Sequence, residues 1–528
     1  MSVIDHPLSL LPNTVWRERR SFAYYFQNAA SSIGGGLDGE FWDTIVPQVC
    51  RREPGVWDAI ISISALFESP EPCPELFSIR GGYSRSSSSF ALNQNHQDAL
   101  GWYSRSVSAI RQRIESGRLD VFVGLITCIL FICIEALQGG VEEALQLYSQ
   151  GVRLLLSFRA QIACGTVPAM EASWFEGTIV PIFTRLGSLA LPLTRPLLSI
   201  LLSHTEYTLA QQFDSLRSAR EALVLLSAEV QLFQSTCVEY VREHGTSNIP
   251  QDLTTQQKML LAKLKSWNTA FIILMELLRS KRLSPLQISI SALFIAHHEV
   301  LYIILPTTLT TSQIITDAYI PNFQTIVDKS SIALNATARP DGTQPPYTFE
   351  ISIGGPLWFT CLRCREPRIR RTALSLLRRA PLVHGFYKTK SAITFSERVM
   401  VLEETYGVAM NASRNTTPRS PASQSTYSEV PRLDLAKFLE DFEYPTSLDT
   451  MPTELGSMPT SELIPEEARM GPINVFRPRD GLPPGTTEKD LVKWNLSADQ
   501  VFLRFSWNRR DVDSDSWQIV HENIPLTL

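Results

Sequence analysis

The sequence predicts an all-α protein, an irregular stack of antiparallel helix pairs followed by a partly disordered C-terminal tail. Between Arg17 and Glu404, apolar residues recur three and four positions apart, and no segment sustains the alternation that is typical of a strand. Short stretches rich in Pro, Gly and Ser divide this region into pieces of helix length. With 528 residues and 44% hydrophobic content, the chain is long and apolar enough to bury a large core.

Composition excludes several classes of protein. Charged residues make up 19% of the chain and the net charge is −5, which fits neither an acidic disordered chain nor a basic nucleic-acid coat. The 33 prolines and 26 glycines are ordinary numbers and exclude a fibrous repeat. Met1–Arg20 lacks the pattern of a signal peptide. Eight widely spaced cysteines indicate a reducing compartment: Cys50, Cys73, Cys128, Cys133, Cys164, Cys237, Cys361 and Cys364.

Four regions are predicted along the chain. In order they are a short lead, the helical domain, a Ser/Thr/Pro-rich linker and an acidic, Pro-containing tail, over residues 1–16, 17–410, 411–433 and 434–528. In the tail, Phe438–Tyr444 alternates acidic and aromatic residues, which fits an amphipathic activation segment. A solvated linker without a specific role fits the composition equally well. Inside the helical domain, residues 68–89 are predicted to form a Pro- and Ser-rich loop.

Two segments with the same helical spacing suggest that helix pairs are stacked. Residues 99–107 and 144–152 align at a constant offset of 45 residues, which lies in the range of helical-pair repeats. Two copies do not establish a solenoid, so the pattern predicts stacked antiparallel pairs and no more. In the first copy, Leu100, Tyr103, Val107 and Ile110 are predicted to face the core, while Arg105 and Gln112 point away from it.

The most apolar segments are predicted to be core helices rather than membrane spans. Val121–Ile134 is shorter than the roughly 20 residues that cross a bilayer. Ile288–Leu305 carries His297, His298 and Glu299 in its middle, and hydrocarbon would strongly disfavour them. No membrane partner is therefore expected.

Candidate metal and redox motifs are weak. The pair Cys361 and Cys364 forms the only CxxC, and it has neither a second pair nor a His-x-x-x-His partner, so two buried structural thiols are predicted. Adjacent histidines point about 100° apart on a helix, so His297 and His298 cannot share a metal. One of them is expected in the core and the other at the surface.

No catalytic constellation is recognised in the sequence. Gly34–Gly36 lacks the residues of a phosphate-binding loop and is predicted to be an ordinary loop. Three pairs of adjacent carboxylates suit solvated helix faces better than acid–base chemistry: Glu142–Glu143, Glu403–Glu404 and Glu466–Glu467. Sequon-like triplets at four asparagines have no secretory route. The prediction is a protein that is not an enzyme, with no catalytic, cofactor-binding or metal-binding residues.

Basic residues are concentrated between Arg363 and Arg398. Pro367 is predicted to separate two helices. In the second helix, an inward face opposes an outward basic face, with Ile369, Ala373 and Leu376 on the first and Arg368, Arg371 and Arg378 on the second. Such a short basic surface is expected to bridge to nearby carboxylates and helix ends rather than to contact DNA.

Ten segments within about residues 17–404 follow one another in an order and helical spacing that match a known family, although no single motif is diagnostic. The segments are Glu18–Asn28, Phe41–Trp42, Glu53–Leu66, Tyr103, Cys128–Gly139, Ala144–Leu156, Pro356–Phe359, Cys364–Arg371, Ala373–Pro381 and Arg398–Glu404. Taken together they resemble the regulatory, or middle homology, domain of fungal binuclear zinc-cluster (Zn2Cys6) transcription factors.

The resemblance implies an all-helical regulatory domain, a nuclear location and control of transcription by RNA polymerase II, in many relatives of metabolic or biosynthetic genes. It implies transcription machinery or other regulators as partners, a small-molecule effector, and a homo- or heterodimer. Family members hold zinc in a six-cysteine cluster that precedes this domain, whereas here the first cysteine is Cys50. Direct DNA binding is therefore not expected, and either the regulator naturally lacks the cluster or the gene model has lost its first exon.

Two rival interpretations remain. A helical-repeat scaffold without a transcriptional role would explain the offset of 45 residues. An enzyme with an unrecognised site ranks lowest, because neither a nucleophile–base pair nor a metal-ligand spacing was found.

Overall fold

The computed structural model describes most of the helical domain and parts of the C-terminal region. The residues described are 15–70, 93–189, 191–203, 212–246, 248–280, 282–415, 464–471, 474–478, 481–483, 486, 500–511 and 516–526. The Ser-rich part of the predicted loop, most of the predicted linker and the Phe438–Tyr444 segment lie outside these residues.

The described chain is mostly helical, as predicted. The first half contains α1 to α10, with π-helical turns at Tyr25–Ala29, Phe41–Ile45 and Phe175–Ile179. The helices are α1 Trp16–Tyr24, α2 Ala30–Gly34, α3 Val46–Cys50, α4 Pro54–Glu68, α5 Gln94–Glu115, α6 Val121–Gln138, α7 Val141–Ala163, α8 Ala169–Trp174, α9 Val180–Leu189 and α10 Leu191–Ser203.

The second half continues with longer helices, two short 3₁₀ turns at Ile314–Tyr319 and Glu466–Ala468, and five strands. The helices are α11 Leu216–His244, α12 Gln251–Arg279, α13 Pro285–Thr307, α14 Ile320–Thr337, α15 Gly354–Arg363, α16 Pro367–Arg378 and α17 Thr389–Asn415. The strands are β1 Val383–His384, β2 Tyr387–Lys388, β3 Asn474–Phe476, β4 Val501–Asp511 and β5 Ser516–Leu526.

Side-chain caps fix where many of these helices begin. Asp120 accepts the N–H groups of the first turn of α6, and Asn93 does the same for α5. Ser215 and Ser284 form capping boxes at α11 and α13. Glu366 caps α16, and the first residue of that helix is a proline, so the predicted break at this point is confirmed.

Stacked helix pairs form the first core. Helix α4 packs on α5, α6 packs on α7, and α4 also contacts α6. Ala99 and Ala144, which the 45-residue offset aligns, are both fully buried, whereas Val107 is exposed and Val152, which aligns with it, is fully buried. The predicted inward face of α5 is shifted, however, because Trp102 and Ser106 are buried while Val107 is 38% exposed.

Two further cores lie beyond α10. The second core is built from α11, α12 and α13 around Trp267, whose indole N–H donates to the Ala219 carbonyl at 2.9 Å. The third core lies between α13, α14, α15 and α16 and includes Cys361 and Cys364. The loop before α15 crosses from the first core to the second, since Phe349 packs in the first and Ile351 in the second.

Helices α6 and α13 are long and apolar enough to cross a membrane by length and composition alone. In the structure, 72% of the apolar stretch of α6 and 61% of that of α13 are buried inside the protein. This burial is also the pattern of the central helices of a packed helical core, so these two helices are weak evidence for a membrane span.

The C-terminal region contains a sheet that the sequence analysis does not predict. Strands β3, β4 and β5 form an antiparallel sheet in that order, and β4 and β5 pair along their whole length. Leu503, Phe505 and Trp507 alternate with polar residues, and all three pack against α17 in a fourth core. The range predicted as a partly disordered tail therefore includes a folded hairpin.

Candidate functional site

A network of buried charges joins the first core to the second. Its centre consists of Asp38, Arg185, Arg220 and Glu350, none more than 4% exposed. Four separate parts of the chain supply these side chains, namely the turn after α2, helices α9 and α11, and the loop before α15. The half-buried side chains of Arg217 and Glu221 complete the network, hereafter the Asp38 network, at its rim.

Asp38 accepts hydrogen bonds from three arginines. Arg220 donates to both carboxylate oxygens, from Nη2 to Oδ1 at 2.7 Å and from Nη1 to Oδ2 at 3.1 Å. Arg185 Nη2 donates to Oδ2, and Arg217 Nη2 donates to Oδ1 at 3.2 Å. Arg220 Nη1 also donates to Glu350 Oε2 at 2.8 Å, so one guanidinium links two carboxylates. Three arginines and three carboxylates thus balance in charge.

The electrostatics follow from burial and pairing. Burial alone would raise the pKa of Asp38, but the guanidinium groups of Arg185 and Arg220 hold it well below its usual range. Burial and the neighbouring Arg220 lower the pKa of Arg185. Removing one member would therefore leave an uncompensated charge out of water, which typically costs about 3–5 kcal/mol.

The glycine run brings Asp38 into this position. Gly35 and Gly36 have φ values of 57° and 82°, a left-handed conformation that glycine adopts at little cost. A Cβ on Gly35 would lie 2.5 Å from Cβ of Glu350. Gly34 ends α2, whereas Gly35 and Gly36 form the turn that the prediction of a loop expects, and they allow the turn to approach the Asp38 network closely.

A cavity of about 110 Å³ adjoins the Asp38 network. Arg185 and Glu221 belong to both. Arg185 uses Nε for the Phe349 carbonyl and Nη2 for Asp38, and no described residue accepts a hydrogen bond from its Nη1. The volume is below that of drug-sized pockets and suits a molecule of a few heavy atoms. The lining residues are Glu176, Val180, Pro181, Thr184, Arg185, Glu221, Val224 and Leu225.

A second buried charge cluster lies where the sequence is most basic. Arg365 Nη2 and Arg370 Nη2 donate to Glu403 at 2.9 and 2.5 Å, and all three side chains are fully buried. Arg371 Nη2 donates to Glu404 at 2.6 Å. On the predicted basic face of α16, Arg371 and Arg378 do bridge to carboxylates, namely Glu404 and Glu397. The prediction that Glu403 and Glu404 lie on a solvated helix face is wrong, because they neutralise the arginines of α16 and of the loop before it.

Glu466 also differs from its prediction as a solvated carboxylate. It is 6% exposed and accepts the N–H groups of Gln313 and Ile314 at 2.7 and 2.8 Å. The inward face predicted for α16 is confirmed, since Ile369, Ala373 and Leu376 are buried.

The two cysteines of the CxxC pair are buried thiols, as predicted. Cys361 lies in α15 and Cys364 directly follows it. Burial raises the pKa of each to about 12. A reactive cysteine requires a stabilised thiolate, so neither thiol is set up for redox chemistry or nucleophilic attack.

The two adjacent histidines both point inward, which corrects the prediction that one lies at the surface. His297 Nε2 is 2.8 Å from the Ser352 carbonyl oxygen, and burial lowers its pKa to about 4. His298 is 6% exposed and stacks on Trp267, with its Nδ1 3.0 Å from Glu299. Adjacent helix positions can both be covered because α13 lies between the second and third cores.

The described residues contain no group of three or more His, Cys, Asp or Glu side chains that could hold a metal ion. The sequence analysis missed the Asp38 network entirely. Its members are up to 312 positions apart, and neither Arg185 nor Arg220 belongs to a recognisable motif. One feature of the sequence could have indicated a buried charge at this site, namely the position of Arg185 within an apolar helical face.

Comparisons with protein-family models, with curated proteins and with solved structures find no significant match to this chain. The resemblance to the regulatory domain of fungal zinc-cluster factors therefore stays a prediction.

Proposed function

We propose that the chain is a regulator of transcription similar to the regulatory domain of fungal zinc-cluster factors, and that it acts by binding partners or a small effector. The proposal includes a nuclear location and control of RNA polymerase II genes, among them metabolic or secondary-metabolite genes. The segments that resemble the family belong to its regulatory domain, so the proposal assigns these residues the binding of partners or an effector rather than contact with DNA.

The observation that carries this proposal is a contact between two of the segments that resemble the family. The segments Cys364–Arg371 and Arg398–Glu404 resemble the family separately, and in the structure they contact each other through Arg365, Arg370 and Glu403. A buried ion pair is costly unless both partners are kept, so it ties the two segments to one fold. The segments that resemble the family therefore include residues whose buried charges stabilise one another.

The Asp38 network suggests how an effector could act. A ligand in the adjoining cavity would touch Arg185 and Glu221, which pair with Asp38 and Arg220, and the Asp38–Arg220 pair links the first core to the second. A ligand shifts an equilibrium between two arrangements only when it binds one of them better. Occupancy of this cavity would therefore change the packing between the cores and the surfaces that partners recognise.

The test fuses the whole chain to an unrelated DNA-binding module and measures a reporter gene carrying that module's site. We expect the fusion to change transcription relative to the module alone, and the tagged chain to enter the nucleus. A fusion without any effect, on a chain that stays outside the nucleus, would overturn the proposal.

Two variants of α11 test the role of the cavity. Leu225→Trp would fill the cavity, whereas Val238→Trp introduces the same residue at a position that is 43% exposed. We expect the first variant to alter the reporter response and the second to leave it unchanged. Equal reporter responses from both variants would show that the cavity plays no part in the regulatory function.

A helical-repeat scaffold is the second candidate. The stack of α4 on α5 and α6 on α7 favours it, because repeated helix pairs commonly present extended binding surfaces. A chain that binds proteins but stays in the cytoplasm would favour this candidate.

A further inference from the structure

A short C-terminal segment lies between the helical domain and strand β4, to which Met470 is bridged at Trp507. Residues 464–471, hereafter the docked segment, contact the stretch Ser312–Asp317, Arg365 and α17. We call the surface that receives them the segment groove. Apolar side chains from both sides meet there, since Ile464, Ala468 and Met470 pack with residues of α15 and α17: Leu362, Phe395, Val399, Leu402 and Tyr406.

Glu466 makes the first polar contact of the docked segment. Its two oxygens accept the backbone N–H groups of Gln313 and Ile314, and the Ser312 hydroxyl donates to Oε2 at 3.2 Å. Asn508 of β4 donates to Oε1 at 2.5 Å. The groove therefore satisfies a carboxylate at this point of the segment mainly through its backbone.

Arg469 makes the second polar contact and is fully buried. Its Nη1 and Nη2 donate to the two oxygens of Asp317 at 2.8 and 2.6 Å. Its Nε donates to the Ile464 carbonyl at 2.8 Å, which closes the segment on itself. Such a bidentate contact is specific for a guanidinium, because the ammonium group of a lysine is a point charge and cannot form it.

The third contact involves the backbone N–H and the backbone carbonyl of Met470. The Met470 N–H donates to Glu403 Oε1 at 2.7 Å, and Arg365 Nη2 donates to the Met470 carbonyl at 3.1 Å. These contacts bind the main chain and so do not select the side chain. Together the groove recognises a glutamate, an arginine three positions later and a buried apolar residue directly after it.

The docked segment is joined to α17 by a long stretch of chain. The residues outside the description between them are 416–463, which number 48. A chain of that length reaches roughly 160 Å when fully extended. The segment of one molecule can therefore reach the groove of another, and the 48 residues do not restrict it to its own groove.

We propose that the segment groove is a peptide-binding site that accepts residues 464–471 of a second copy of this chain. Two molecules then pair by exchanging docked segments, each with the same contacts as within one molecule. A segment covalently joined to its own groove competes with the segment of a second molecule, so pairing is weak until the contact within the molecule is loosened. This inference stands whether or not the protein regulates transcription.

Charge reversal provides the test. Arg469→Asp disables the segment of one full-length chain, and Asp317→Arg disables the groove of another. Mixed together, they can form a pair that has one native and one reversed Arg–Asp contact. We expect the mixture to form a heterodimer at least 100-fold more tightly than either variant self-associates, by light scattering and by energy transfer between labelled chains.

Two controls make the result specific. A chain carrying both Arg469→Asp and Asp317→Arg restores the contact within one molecule and should remain monomeric. Reversal of the exposed Arg378–Glu397 pair, as Arg378→Glu and Glu397→Arg on separate chains, should produce no pairing. The proposal would be overturned if the two folded variants stayed monomeric when mixed. It would also be overturned if the chain carrying both substitutions formed dimers.

A milder experiment covers the case in which the reversed chains fail to fold. Full-length Arg469→Ala keeps the groove intact, and a labelled peptide of residues 462–473 serves as the probe. We expect the peptide to bind this variant at least tenfold more tightly than the same peptide carrying Arg469→Ala, by fluorescence anisotropy. Equal binding of both peptides would overturn the proposal.

Discussion

At Glu403, two guanidinium groups and one backbone N–H converge on a carboxylate that has no contact with solvent. Burial alone would raise the pKa of this group, but Arg365 and Arg370 lower it to about 2. A carboxylate with a lowered pKa stabilises the folded state at any pH above its value in the unfolded chain, near 4.5. That stabilisation is lost as the pH falls from about 4.5 towards 2.

We therefore expect Glu403→Gln to lower the free energy of unfolding by about 3–5 kcal/mol at pH 7, because two buried arginines lose their shared charge. The difference from the unchanged chain should shrink as the pH falls below 4.5. Urea unfolding between pH 7 and pH 3 measures it. Glu397→Gln on the same helix is the matched control, since Glu397 pairs with Arg378 of α16 at the surface. A difference independent of pH would contradict the pKa assigned to Glu403.

At the scale of single elements, α6 shows how a continuous apolar run becomes a central helix. All residues from Gly124 to Ile134 are buried, because α4 covers one side of the helix and α7 another. Asp120 fixes its first turn, and Gly139 ends it with a φ of 88°. The sequence indicates both the caps and the burial, so this helix could be predicted closely.

Replacing Ile129 by Asp should destabilise the protein by several kcal/mol, because the new carboxylate would be buried without a partner. Val107→Asp on α5 is the control, and we expect it to change stability by about 0.5 kcal/mol or less because this residue is 38% exposed. Thermal unfolding measures both. A midpoint for Ile129→Asp close to that of the control would show that the core assignment of α6 is wrong.

The hairpin of β4 and β5 was missed although its pattern is visible. Leu503, Phe505 and Trp507 alternate with Arg504 and Ser506, which is the spacing of a half-buried strand. The surrounding prolines and acidic residues favoured a tail, and the third strand, β3, is only three residues long. The prediction therefore followed the local composition rather than the short apolar–polar alternation. The structure shows the strands to be part of the fold because they share a core with α17.

At the scale of the whole molecule, residues far apart in sequence determine how the cores fit together. Helix boundaries and buried faces depend on local spacing and caps, so the sequence predicts them. Asp38 and Glu350 come from loops without a regular pattern, and no local rule relates either of them to Arg220. The same holds for Glu403, which looks like a surface residue in sequence because its arginine partners lie about 35 positions away.

The Asp38 network predicts a large effect from a small change. Asp38→Asn keeps the size of the side chain but removes the charge that Arg185 and Arg220 share, so we expect a loss of about 3–5 kcal/mol in the free energy of unfolding. Urea unfolding followed by tryptophan fluorescence measures it. Asp252→Asn, at an exposed position at the start of α12, should have little effect. Equal midpoints for the two variants would mean that the network does not hold the cores together.

The position of the docked segment also affects how the protein is made. Ribosomes synthesise all the helices before Glu466, Arg469 and Met470, which follow α17 in the chain. Until then, the nascent molecule displays an apolar strip on α17, and Asp317 has no guanidinium to neutralise it. A prematurely terminated product keeps that strip in contact with water, so cellular quality control has a surface by which to tell it from finished protein.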